Sequence, residues 1–110
     1  VTTDEIPDPH DLAMELRVNG EKRQESYSGN MSVTIPEILA HYSPLGYSAG
    51  DVVSTGTVSG VAGFSEDAAS LYLKPGDVIE AEIERIGVLR NPVVSWRDAH
   101  GEPAPPRVRW

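Results

Sequence analysis

No cysteine occurs among the 110 residues, so disulfides and thiolate metal sites are excluded. That composition suits a reducing compartment, and the chain reads as cytoplasmic. No apolar run approaches the roughly 18 residues a membrane span needs. Nor does a basic segment followed by an apolar stretch open the sequence at Val1, so a secretory signal is not expected. Positive charge is scarce. Nine Lys and Arg against 17 Asp and Glu leave a formal charge of −8. The nine are spread from Arg17 to Arg109, and the only local basic bias is Arg107 and Arg109 at the end of a Pro-rich tail. An even spread on an acidic chain argues against nucleic acid or an anionic membrane as partner. The length fits one small domain of modest stability.

Ten Gly and nine Pro cut the chain into short pieces with a β-type rhythm. Leu12, Met14, Leu16 and Val18 alternate with Ala13, Glu15 and Arg17, and Asn19-Gly20 follows at once. Alternation and then Asn-Gly predict a hairpin with a type I′ turn, its return strand over 21–24. One helix is predicted over 36–42. Thr34 and Glu37 have capping-box spacing, Pro36 suits a first turn, and Ile35, Ile38, Leu39 and Tyr42 share a face. Ser43-Pro44 and Gly46 end it.

Gly50-Asp51 and Gly76-Asp77 each precede a β-branched run, Val52-Val53 and Val78-Ile79, and both runs read as strands. Lys74-Pro75-Gly76-Asp77 suits a type II turn. In the strand after it, Ile79, Ala81 and Ile83 point inward and Glu80, Glu82 and Glu84 outward. Further short strands are expected at 88–89 and 93–96, and a short helix capped by Ser65 over 65–71. Residues 97–110 read as a Pro-rich extended arm. The fold class is mostly β with minor α.

The most chemical-looking stretch is Ser54-Thr55-Gly56-Thr57-Val58-Ser59-Gly60. Glycine admits a ligand close to the backbone, and hydroxyls beside free N–H groups can hold a carboxylate. No Lys-Ser or Lys-Thr follows, so it is not a phosphate-binding P-loop. A tight turn that binds nothing uses the same residues, and composition alone favours that reading. Glu80, Glu82 and Glu84 share a strand face, but three carboxylates without His or Cys read better as a solvated surface than as metal ligands. Asp4, Glu5, Asp8 and Asp11, broken by Pro7 and Pro9, read as an acidic connecting loop. His10, His41 and His100 lack ligand spacing, and no G-x-S-x-G elbow occurs. The residues themselves lead as far as an acidic, mostly β domain with one candidate ligand loop.

A resemblance leads further. The ordered segments Thr3-Asp4-Glu5-Ile6-Pro7-Asp8-Pro9, Leu16-Arg17-Val18-Asn19-Gly20, Ile35-Pro36-Glu37-Ile38, Gly50 to Thr57, Gly60-Val61, Leu73 to Glu80 and Ile86 to Asn91 resemble the fumarylacetoacetate hydrolase family. The likeness is to the last part of that family's catalytic domain and runs from Val1 to about Val94, with residues 1–96 as the domain piece. It implies a mixed β-sandwich roll, incomplete here, usually a homodimer. It also implies a divalent cation (magnesium, manganese or calcium) in the intact enzyme, acting on a small anionic 2-oxo or 1,3-dioxo acid by C–C hydrolysis, decarboxylation or isomerisation. The family's metal-binding Glu-x-Glu, the Asp after it, its catalytic His and a substrate-facing Lys lie N-terminal to the region that Val1 begins. Glu80-Ala81-Glu82 imitates the metal motif on a different strand. Neither catalytic nor metal residues are therefore expected in this chain. What does carry over is the family's Thr-Gly pair at the substrate pocket, matched by Thr55-Gly56, with Thr57 on the same loop. On this reading the chain is one pocket wall of a larger enzyme and inactive alone. The rival reading is a non-catalytic β domain for assembly or ligand binding.

Overall fold

The computed structural model describes residues 1–106. Its sheet has four strands, β1 (Ala13–Val18), β2 (Glu21–Tyr27), β3 (Val78–Ile83) and β4 (Gly87–Pro92), in the order β2-β1-β3-β4, every pair antiparallel. The predicted hairpin is β1–β2, and Asn19 and Gly20 hold φ of 54° and 81°, as a type I′ turn requires. Its return strand runs three residues past the expected end. Asn19 also ties this turn to the Lys74–Asp77 turn. Its side-chain amide donates to the Asp77 carboxylate at 2.8 Å, and its Oδ1 accepts from the Val78 N–H at 2.8 Å.

Register sorts the sheet into two faces. One carries the rows Ser26–Met14–Ile83–Gly87, Gln24–Leu16–Ala81–Leu89 and Val18–Ile79–Asn91. The other carries Glu25–Glu15–Glu82–Val88 and Lys22–Arg17–Glu80–Arg90. Pairing jumps from Leu16↔Gln24 to Arg17↔Lys22, so Arg23 is an extra residue in a bulge. Without it, strict alternation would put Lys22 on the same face as Gln24. With it, Lys22 joins the charged face and pairs Glu15 and Glu25, while Arg17 pairs Glu15 and Glu82 and Arg90 pairs Glu80. Glu80 and Glu82 thus lie on the charged face, as expected, and Glu84 accepts from the Ala13 N–H at 2.9 Å.

Helix α1 (Ile35–Tyr42) has the predicted capping box: the Thr34 hydroxyl accepts from the Glu37 N–H, and the Glu37 carboxylate accepts from the Thr34 N–H at 2.8 Å. The Thr34 hydroxyl also donates to that carboxylate at 2.7 Å, and it and then the Thr34 N–H hold the Glu37 carboxyl below its ordinary 4.5. His10 links the N-terminal stretch to this helix, its Nε2 accepting from the Ile35 N–H at 3.1 Å. Leu12 and the hydroxyl of buried Ser28 close the far end of the hairpin, through the Leu12 N–H at 2.9 Å.

Four expectations need correction. Val52-Val53 is not a strand: residues 46–61 contain neither strand nor helix, and Val52 is 92% exposed. A β-branched run forms a strand only where a neighbour completes its ladder, and none lies beside it here. The expected strand at 88–89 lies within the longer β4 (Gly87–Pro92), but 93–96 is not a strand: residues 93–95 carry no regular element and Trp96 opens a helix. The helix expected over 65–71 is only α2 (Ala68–Leu71), because Ser65 accepts from Asp67 before the helical turn rather than capping it. The arm expected over 97–110 starts as α3 (Trp96–His100), capped by Ser95 on the Asp98 N–H at 3.1 Å and closed by Gly101. Residues 102–106 carry no regular element, and 107–110 lie outside the described residues.

The chain exposes 8913 Å², against about 5,900 Å² for a compact monomer of its mass. Its radius of gyration is 17.4 Å, against about 13 Å. Only Ile6, Leu12 and Val18 form a buried apolar core among the described residues, while Leu45 and Phe64 are 82% and 93% exposed.

Candidate substrate-pocket wall

The uncharged face of the sheet is the floor of a cleft of about 540 Å³. Met14 and Leu16 of β1, Gln24 of β2 and Ala81 and Ile83 of β3 make that floor, and Thr55, Gly56, Thr57 and Val58 stand over it as a wall. Behind the wall lies a second cavity of about 550 Å³, with Ser26, Asn30 and Ser32 among its lining residues. The three residues singled out from the sequence are therefore contiguous, exposed and shared by both cavities. Gly56 holds φ of 98°, a value that favours glycine and turns the chain between the two threonines. The Thr57 hydroxyl has only a long donation to the Val58 carbonyl, 3.4 Å.

Sequence reasoning missed how this wall is held. The Gln24 side-chain amide donates to the Val58 carbonyl at 3.0 Å and to the Ser59 carbonyl at 3.1 Å. At Gly60, with φ of 96°, a Cβ would stand 2.6 Å from the Arg23 carbonyl oxygen and 3.1 Å from Gln24 Cγ. The loop backbone lies directly on β2. No sequence signal singles Gln24 out, because its neighbours on the return strand, Lys22, Arg23, Glu25 and Ser26, are polar too.

On the opposite face Glu15, Arg17, Lys22, Glu25, Glu80, Glu82 and Arg90 pair with one another, and Glu15 and Glu82 also reach the edge of the cleft. The Glu15 carboxyl is held below its ordinary value, first by the Lys22 hydrogen bond and then by the charges of Arg17 and Lys22. Lys22 is raised by hydrogen bonds to Glu25 and Glu15, and Arg17 by that to Glu82. The Tyr27 hydroxyl, bonded to the Asp11 carboxylate, is raised as well. Among the described residues no three His, Asp or Glu side chains converge as a metal-binding group, so these residues do not fit a cation site. His41 packs edge-on to Tyr42, and His100 lies 4.0 Å from the Trp96 ring.

A four-stranded antiparallel sheet with short helices puts the chain in the mostly β class with minor α. Residues 1–94 match the family described as Fumarylacetoacetate (FAA) hydrolase C-terminal, and the chain belongs to the fumarylacetoacetate hydrolase family. It is 39% identical over 98 residues to a 2,4-didehydro-3-deoxy-L-rhamnonate hydrolase of Sphingomonas sp. (strain SKA58), covering 88% of this chain and 34% of that protein. Fumarylacetoacetate hydrolase from psychrophilic Exiguobacterium antarcticum superposes with a TM-score of 0.79 at 42% identity, covering 86% of this chain and 34% of the other. Maleylpyruvate hydrolase from Sphingobium sp. SYK-6, solved with manganese(II) and pyruvate, superposes with a TM-score of 0.73 at 30% identity, over 86% and 33% of the two chains. The chain thus spans about a third of the length of the relatives it matches.

Proposed function

We propose that this chain is the C-terminal part of a divalent-metal-dependent enzyme that acts on a small 2-oxo or 1,3-dioxo acid. The reaction class is C–C bond hydrolysis or a related decarboxylation or isomerisation. In this reading Thr55, Gly56 and Thr57 form one wall of the substrate pocket. The Thr55 hydroxyl donates to the substrate carboxylate, and the Gly56 backbone lets it approach closely. The observation that carries the reading is the position of these three residues, exposed above the uncharged sheet face and on the rim of a cleft large enough for a small acid. The manganese and pyruvate bound by the Sphingobium relative support the cofactor and substrate class. Because no acidic cluster here fits a cation, the metal ligands and the general base belong, in this reading, to the two thirds of a family enzyme outside this chain. Homodimeric assembly and a cytoplasmic location complete the proposal.

The test uses the full-length enzyme containing the chain, assayed with oxaloacetate and acylpyruvates in Mn²⁺ or Mg²⁺. Thr55→Ala is expected to raise KM about tenfold or more, the cost of a lost hydrogen bond to a charged group. The isolated chain is expected to show no turnover and no saturable Mn²⁺ binding by calorimetry. Metal-dependent turnover by the isolated chain would overturn the reading.

A further inference from the structure

We propose that Gln24 is a positioning residue: it sets the height of the Thr55–Thr57 wall above the sheet, and Gly60 is the contact that lets it do so. The inference rests on the proposed function of that wall. Residues 46–61 form no ladder, and among the described residues the hydrogen bonds joining 52–60 to the sheet are the two from the Gln24 amide. Both protons of one side-chain nitrogen are used on consecutive carbonyls, Val58 and Ser59. That fixes the direction of the peptide plane as well as its distance.

Three features of the sequence converge on this contact. Register places Gln24 opposite Leu16, on the cleft side of the sheet. The bulge at Arg23 keeps it there while sending Lys22 to the other face, and leaves the Arg23 carbonyl pointing at the loop. Gly60 then supplies the only side-chain-free position where the loop crosses β2, since a Cβ at 2.6 Å from that carbonyl would lift the backbone away. Thr57 is one residue from the first anchored carbonyl, so its placement and that of Thr55 follow the Gln24 amide. A residue acting this way alters how well the wall meets the substrate carboxylate, and affects KM before kcat.

The test uses the full-length enzyme with oxaloacetate as substrate, pyruvate as competitive probe and Mn²⁺ present, comparing wild type with Gln24→Leu, Gln24→Asn and Gly60→Ala. Gln24→Leu is expected to raise KM and the pyruvate inhibition constant about tenfold while kcat stays within about threefold. Amide hydrogen exchange is expected to rise at 53–60 and to stay unchanged in β1 and β3. Gln24→Asn, which keeps the donor on a shorter stem, should recover part of the loss. Should Gln24→Leu not fold, Gly60→Ala breaks the same contact from the loop side and should reproduce the KM and exchange effects. A purely structural role predicts the opposite pattern, with lower melting temperature and active fraction but unchanged KM, and would overturn the inference. If the wild type turns over no oxo-acid but exchange at 53–60 still rises in Gln24→Leu, the substrate reading fails and the anchoring stands. If wild type is active and the variants change neither KM nor exchange, the anchoring fails alone.

Discussion

Asn19 serves the sheet twice, once through its backbone and once through its side chain. Its φ of 54° is one that asparagine tolerates, and that much is readable from Asn19-Gly20. Its bonds to Asp77 and Val78, 58 and 59 residues away, are not, because nothing local marks which turn will lie beside which. The Asp77 carboxyl is held below its ordinary 3.8, first by the Asn19 amide and then by the Lys74 N–H. Asn19→Ala is therefore expected to move the Asp77 pKa up toward 3.8, followed by carbon-detected NMR titration of the carboxyl group. An unchanged value would mean that the Lys74 N–H alone sets it. The same contrast between local and distant holds at the pocket wall. Thr55, Gly56 and Thr57 announce themselves as hydroxyls around a glycine. Gln24 does not, because its partners are carbonyls of the Val58-Ser59 peptides and its role appears only once β2 has its bulge.

At the level of elements, the sequence was most legible where a segment completes its own hydrogen bonds. Helix α1 is such a case, its capping box written in Thr34 and Glu37. Thr34→Ala is expected to cost about 1 kcal/mol of stability, measured by chemical denaturation of the full-length enzyme. The accompanying pH dependence has a definite sign. The Glu37 carboxyl has a lower pKa folded than unfolded, so its contribution is complete above 4.5 and is lost as the pH falls through the lowered value. Fraying of α1 should thus begin near pH 4.5 and grow toward lower pH, and Thr34→Ala should blunt that dependence. Segments that need a distant neighbour were misread. Val52-Val53 has strand-like side chains but no ladder, and Trp96 has a strand-like ring that the Ser95 cap recruits into α3. The bulge at Arg23 was equally invisible, since Lys22, Arg23 and Gln24 are polar in any register.

For the whole molecule, the contrast between the two sheet faces governs behaviour. The charged face is internally paired, whereas the other floors an open cleft, and away from the sheet large apolar side chains such as Leu45 and Phe64 stand exposed. A surface this open is expected to make the isolated chain associate, with a sedimentation coefficient that rises with concentration and a broad unfolding transition. A strictly monomeric chain with one sharp transition would favour the self-standing domain instead. The strand order adds a consequence of its own. Hairpin β1–β2 comes from one end of the sequence and hairpin β3–β4 from the other, and the β1–β3 ladder with the Asn19 bonds is the seam between them. The residues between 46 and 61 take no part in that seam. Covalent continuity at 46–53, ahead of the Thr55–Thr57 wall, is therefore expected to be dispensable to the sheet: a chain nicked there should keep its two halves zipped together and separate them only on unfolding.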